Sequence, residues 1–126
     1  MKTPENLHYA KTHEWVELLN GSTTRIGLSD FAQQALGDIV FLNLPEAGDA
    51  VTAGQTLGDV ESVKAVSDIL SPVTGSVTAV NQAVIDHPEL INENPYGSWL
   101  VEVSITALSD DLMSATDYEA HCKEAH

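Results

Sequence analysis

The chain has 126 residues, one domain's worth, and 43% of them are apolar, enough to bury a core and exclude wholesale disorder. Nineteen acidic residues face only five Lys plus Arg, a formal net charge of −14. Nucleic-acid binding draws on clustered cations to displace counterions, so the composition excludes it, and it disfavours anionic membranes as well. The same charge favours solubility and partners with basic docking surfaces.

The N-terminal "MKTPENLHYAKTHEW" lacks the apolar core of a signal peptide and the Arg- and Ser-rich character of a transit peptide. A cytoplasmic protein is expected, although a mature mitochondrial chain restarted at Met1 reads the same. In "WVELLNGSTTRIGLS", Asn20-Gly21 lies between two apolar-polar runs and predicts a hairpin whose turn residues both tolerate positive φ. "SDFAQQALGD" predicts a short helix capped by Ser29 or Asp30 and ended by Gly37. "DIVFLNLP" reads as a buried strand stopped by Pro45.

From Ala50 to Asn81 come short β-like runs punctuated by Gly and Pro, with Gly54 and Gly58 read as turn and bulge residues. A short internal echo, Val51-Thr52 before Gly54 and Val73-Thr74 before Gly75, flanks Lys64. "DHPELINENPYGS" reads as a turn-rich loop. "SWLVEVSI" alternates, setting Trp99, Val101, Val103 and Ile105 on one face. The last stretch, about residues 109–126, is expected to be helical. Ser109 and Ser114 are plausible caps, Ser114 with Asp117 suggests a capping box, and Tyr118 and Cys122 share a face. Mostly short strands, a central helix and a helical tail predict a mainly β sandwich or barrel.

The residues offer little catalytic equipment. The five histidines make no metal-ligand spacing, no GxSxG or P-loop is present, and the single cysteine, Cys122, reads as a packed side chain. Lys64 is different. It is the only lysine between Lys11 and Lys123, and it sits between two strand-like runs with almost no loop. Two readings are open: a solvated turn lysine, or an acylated stem that carries a reactive group away from the body.

"ESVKA" at Glu61–Ala65 resembles the attachment motif of the glycine cleavage system H proteins. The resemblance runs through "HEWV" at His13–Val16, "IGLSDFAQQALGDIVFLNLP" at Ile26–Pro45 and "ESVKAVSDILSPVTGSVTAVN" at Glu61–Asn81. It continues in "PELIN" at Pro88–Asn92 and "NPYG" at Asn94–Gly97. It implies a barrel-sandwich hybrid of short strands with a short central helix and C-terminal helices. The whole chain, 1–126, would be one lipoyl-carrier domain with its attachment hairpin at about 56–71. Lys64 would carry lipoate through an amide, taking the formal charge from −14 to −15.

The implied partners are glycine decarboxylase (P protein), the aminomethyltransferase (T protein), dihydrolipoamide dehydrogenase (L protein) and a lipoylating enzyme. The arm would carry the aminomethyl group of glycine from the first to the second, and the third would reoxidise it. The chain itself would be a carrier, not an enzyme. By the same resemblance Glu14 and Asp68, and more weakly Thr12, are candidate contacts to the loaded arm. Glu61 is the candidate feature read by the lipoylating enzyme, Gly75 the turn that holds the hairpin, and Asn92, Tyr96 and Trp99 are structural. One alternative is an H-like protein that relays lipoate to other acceptors. Biotin carriage fits poorly, because Val63 and Ala65, not Met, flank Lys64. An unmodified interaction module is the remaining reading. One departure stands out: the family usually sets two residues and a Gly between Pro-Tyr and Trp, and here only Gly97 and Ser98 intervene.

Overall fold

The computed structural model describes residues 3–124. Two antiparallel sheets form its frame. The larger has, in spatial order, β1 (His8–Tyr9), β2 (Glu14–Leu18), β3 (Thr23–Leu28), β9 (Val101–Leu108), β8 (Val73–Val80) and β5 (Ala50–Val51). The smaller has β4 (Ile39–Asn43), β6 (Thr56–Ser62) and β7 (Val66–Leu70). Four helices are found among the described residues: α1 (Asp30–Leu36), α2 (Gln82–Asp86), α3 (Leu90–Glu93) and α4 (Ala115–Glu124).

Alternation builds the core. Val101 and Val103 of β9 are fully buried, as are Val16 and Ile26 on the neighbouring strands. They share one apolar cluster with Leu42, Val60 and Ile69 of the small sheet, so the two sheets pack through a common interior. Each such side chain contributes roughly 1.5–3 kcal/mol of transfer free energy. A second cluster forms where α4 docks, from Tyr9, Trp15, Tyr118 and Cys122. Of the internal echo, Val51 on β5 lies opposite Gly75 on β8, while Thr52 and Gly54 fall beyond β5.

The expected α1 is present, with the Ser29 hydroxyl accepting from the Ala32 N–H and Gly37 closing it at φ +78°. Other expectations need correction. The expected hairpin forms, β2 pairing with β3, but neither Asn20 nor Gly21 takes positive φ. Instead the Asn20 side chain accepts from the Ser22 and Thr23 N–H groups, both at 3.0 Å, and closes a longer loop. In β4 only Ile39 and Leu42 are buried, because a register shift between Ile39 and Phe41 turns Val40 and Phe41 outward. The stretch read as loop contains α3 and is preceded by α2. Helices of four or five residues are too short for periodicity to reveal. The C-terminal helix begins at Ala115, after an extended stretch in which Met113 bridges to Tyr9. The last two positions assigned to that tail, 125 and 126, lie outside the described residues. Ser114 does cap it, accepting from the Asp117 N–H at 3.2 Å.

Gly75 is not a turn residue. It lies inside β8 at a register shift, where an added Cβ would come within 2.1 Å of the Ser104 carbonyl oxygen. The shortened Tyr96–Trp99 connection is tied down by the Ser98 hydroxyl, which donates to Leu90 O at 3.0 Å.

Candidate functional site

The site begins with a three-residue connection. Val63, Lys64 and Ala65 join β6 to β7. The Ser62 hydroxyl accepts from the N–H groups of Lys64 (3.3 Å) and Ala65 (3.1 Å), and the Ser62 N–H donates to Ala65 O at 2.8 Å. A Ser-closed turn of this kind fixes the tip without using any side chain of the loop. The Val63 N–H donates to Asp38 O at 3.0 Å and ties the tip to the segment after α1. Lys64 is exposed, with Val63 and Val66 beside it each 68% exposed.

The Lys64 stem leans on the end of α1. A Cβ placed on Gly37 would lie 3.3 Å from Lys64 Cε, so glycine leaves the groove in which the stem rests. Gly37 has φ +78° and ψ −153°, a region essentially reserved for glycine. Asn92 holds this end of the helix: its side-chain N–H donates to Gly37 O at 2.8 Å and its oxygen accepts from the Ile39 N–H at 2.9 Å.

Between α1 and the small sheet lies a cleft of ≈ 140 Å³. Leu28, Ala32, Leu36 and Val60 give it apolar walls, and Thr12, Glu14, Ser67 and Asp68 supply polar groups. Thr12 and Asp68 are exposed at its rim, while Glu14 is 1% exposed. The Glu14 carboxylate accepts from the Thr12 hydroxyl and from the Leu70 N–H at 3.4 Å. Burial pushes its pKa up to about 7, against the opposing pull of those two hydrogen bonds. A buried carboxyl whose pKa is moved this far by desolvation, set in a cleft, is a candidate functional group.

The three residues expected to meet an arm, Thr12, Glu14 and Asp68, therefore line one cavity. Glu61 does not. It is exposed on β6, with Phe41 of β4 and Val66 of β7 as its cross-strand partners. Tyr96, Asn92 and Trp99 are engaged in packing: the Asp30 N–H donates to the Tyr96 hydroxyl at 3.0 Å, and the Arg25 guanidinium lies 4.8 Å above the Trp99 ring.

Two features escaped the sequence. Gly37 was legible as a helix stop but not as the bed of the lysine stem. His13 takes a positive φ of 79°, the only non-glycine among the described residues to do so. It stands between Thr12 and Glu14 in the chain.

Comparison with known proteins agrees with this geometry. A family model described as the glycine cleavage H-protein matches residues 7–125. A glycine cleavage system H protein of Lachnoclostridium phytofermentans is 46% identical over 124 residues, 98% of each chain. One of Geobacillus kaustophilus is 50% identical over 127 residues, 98% of this chain and 99% of that one. The crystal structure of a glycine cleavage system H protein from Mycobacterium marinum superposes with a TM-score of 0.89 at 38% identity, covering 98% of this chain and 99% of that one. An exposed hairpin-tip lysine, a cleft beside it and full-length similarity lead to one statement: this chain belongs to the glycine cleavage H-protein family.

Proposed function

We propose that the chain is the lipoyl carrier of the glycine cleavage system, with lipoate joined to Lys64 by an amide. The observation that carries this reading is the pairing of Lys64, exposed at a rigid tip, with a cleft between α1 and the small sheet that holds a buried carboxyl. The residues fit the group. Lys64 offers a free amine on a flexible stem, Gly37 leaves room for that stem, and the apolar walls suit an alkyl chain. Amide-linked lipoate supplies a disulfide that takes up the aminomethyl group of glycine and must afterwards be reoxidised.

The chain's own residues do the rest. Ser62 and the Asp38 carbonyl hold the tip, so Lys64 stands at a fixed place. Leu28, Ala32, Leu36 and Val60 keep water from the cargo, and the Glu14 carboxylate, with Asp68 and Thr12 at the rim, meets its amine. A cation in the cleft would favour the charged form of Glu14 and offset its burial. Glu61, set between the exposed Phe41 and Val66, is available to the lipoylating enzyme as a mark that separates Lys64 from the other lysines.

The chain performs no bond-making of its own. Its partners on this reading are glycine decarboxylase, which loads it, the aminomethyltransferase, which unloads it, and dihydrolipoamide dehydrogenase. A lipoate relay would need the lysine but has no use for a cleft that holds an amine, so the cleft favours the carrier. Glycine–bicarbonate exchange by the decarboxylase tests the reading. The lipoylated chain is expected to stimulate exchange, and Lys64→Ala to abolish the stimulation. Equal stimulation by the Lys64→Ala protein would remove the carrier role.

A further inference from the structure

The C-terminal helix reaches the cleft through one hydroxyl. We propose that Tyr118, on α4, is a positioning residue that holds the two walls of the cleft together by bridging His13 and Ser29. The proposal rests on reading that cleft as the shelter of the loaded arm.

Tyr118 is fully buried and its ring stacks on Tyr9, with centroids 4.5 Å apart and 9° between planes. Its hydroxyl lies 2.8 Å from His13 Nδ1 and 2.6 Å from Ser29 Oγ. His13 belongs to the segment carrying Thr12 and Glu14. Ser29 caps α1, the helix that supplies Ala32 and Leu36 to the opposite wall. One hydroxyl thus joins both sides.

The proton order closes without a gap. The Ala32 N–H donates to Ser29 Oγ at 3.2 Å, the Ser29 hydroxyl donates to Tyr118, and the Tyr118 hydroxyl donates to Nδ1 of a neutral His13. Burial and the nearby His121 hold His13 below the usual histidine range, which keeps the ring neutral and leaves one of its nitrogens able to accept.

A second observation points the same way. A non-glycine residue at φ 79° persists only where its surroundings over-determine it. His13 is held on every side. Its N–H donates to Ala10 O at 3.0 Å, its carbonyl accepts from the Ser29 N–H at 3.0 Å, and its ring lies 4.5 Å from that of Phe31. Beside it on α4, His121 Nε2 lies 3.1 Å from Lys11 O, so the helix grips the chain on both sides of Thr12. The strained residue and the helix that clamps it together aim Thr12 and Glu14 into the cleft.

The experiment uses unlipoylated protein and reads the Glu14 carboxyl by carbon NMR across pH. Tyr118→Phe keeps the stacked ring and removes only the bridge. Ala115→Gly, at the start of the same helix, weakens α4 without touching the bridge. The Tyr118→Phe variant is expected to lower the Glu14 midpoint by about one pH unit or more, as water enters the loosened cleft, while Ala115→Gly leaves it in place. An unmoved midpoint in Tyr118→Phe overturns the proposal, and so does an equal fall in both variants. The half-life of the loaded carrier then separates this claim from the one beneath it. It should shorten several-fold in Tyr118→Phe. A shifted Glu14 midpoint with an unchanged half-life keeps Tyr118 as the positioning residue and removes the cleft's sheltering role instead.

Discussion

Glu14 makes the fold's stability depend on pH in an unusual direction. Its carboxyl is raised to about 7 in the folded chain, against 4.5 for the free group. A raised pKa means that the folded state holds its proton more tightly, so the contribution is fully present below pH 4.5. It fades as pH rises through about 7, where the buried charge must be carried. Over that window the loss approaches about 3 kcal/mol, at 1.36 kcal/mol per unit. Glu14→Gln removes the charge and keeps an acceptor for Thr12 and Leu70. The variant should melt higher than the parent at pH 8.5 and lose that advantage near pH 4, a comparison made by thermal denaturation at both values. Parallel pH profiles for the two proteins would mean that Glu14 is better solvated than its burial indicates. At this scale the sequence was legible where chemistry is local. An isolated lysine in an acidic chain announces itself. His13 did not, because φ leaves no trace in composition and its partner Tyr118 lies 105 residues away.

Among the elements, α1 and the β6–β7 hairpin make the site, and their junction is Gly37. The glycine ends the helix, its carbonyl accepts from Asn92, and the Lys64 stem passes over it. Gly37→Ala forces a side chain into a conformation that only glycine adopts freely and should cost about 1–3 kcal/mol of stability. It should also slow lipoylation of Lys64, since the new methyl group would stand 3.3 Å from Cε. Chemical denaturation and timed lipoylation in vitro check the two effects separately. A full loss of stability with unchanged lipoylation would show that the stem does not need its groove.

Elements with chemical punctuation were readable. Ser29 and Gly37 mark α1, and the alternation of Val101, Val103 and Ile105 marks β9. Elements shaped by packing were not. The Asn20-Gly21 pair suggested a tight turn, but the Asn20 side chain hydrogen-bonds two backbone N–H groups and builds a wider one. "IVFLN" looked continuously buried, yet a register shift sends Val40 and Phe41 outward. Gly75 was placed in a turn because glycine usually marks one. Its actual reason, the approach of the Ser104 carbonyl across the β8–β9 pair, belongs to tertiary contact.

At the scale of the molecule, a strongly acidic body presents a single lysine on an apolar tip. Val63, Val66, Phe41 and Val40 are exposed on the hairpin and the adjoining β4, between 52% and 68%. No helix among the described residues is long and apolar enough to cross a membrane. A mainly β sandwich or barrel followed from the spacing of short strands. The split of those strands into six and three, and the cleft between the smaller sheet and α1, came only with the fold. On the proposed function, Lys64 is the attachment point of the carried group. The most direct test is intact mass and peptide mapping of the chain purified from its own cells. One lipoyl mass is expected on the peptide containing Lys64 and none on those containing Lys11 or Lys123. An unmodified Lys64, in cells whose other lipoyl proteins are modified, would contradict it.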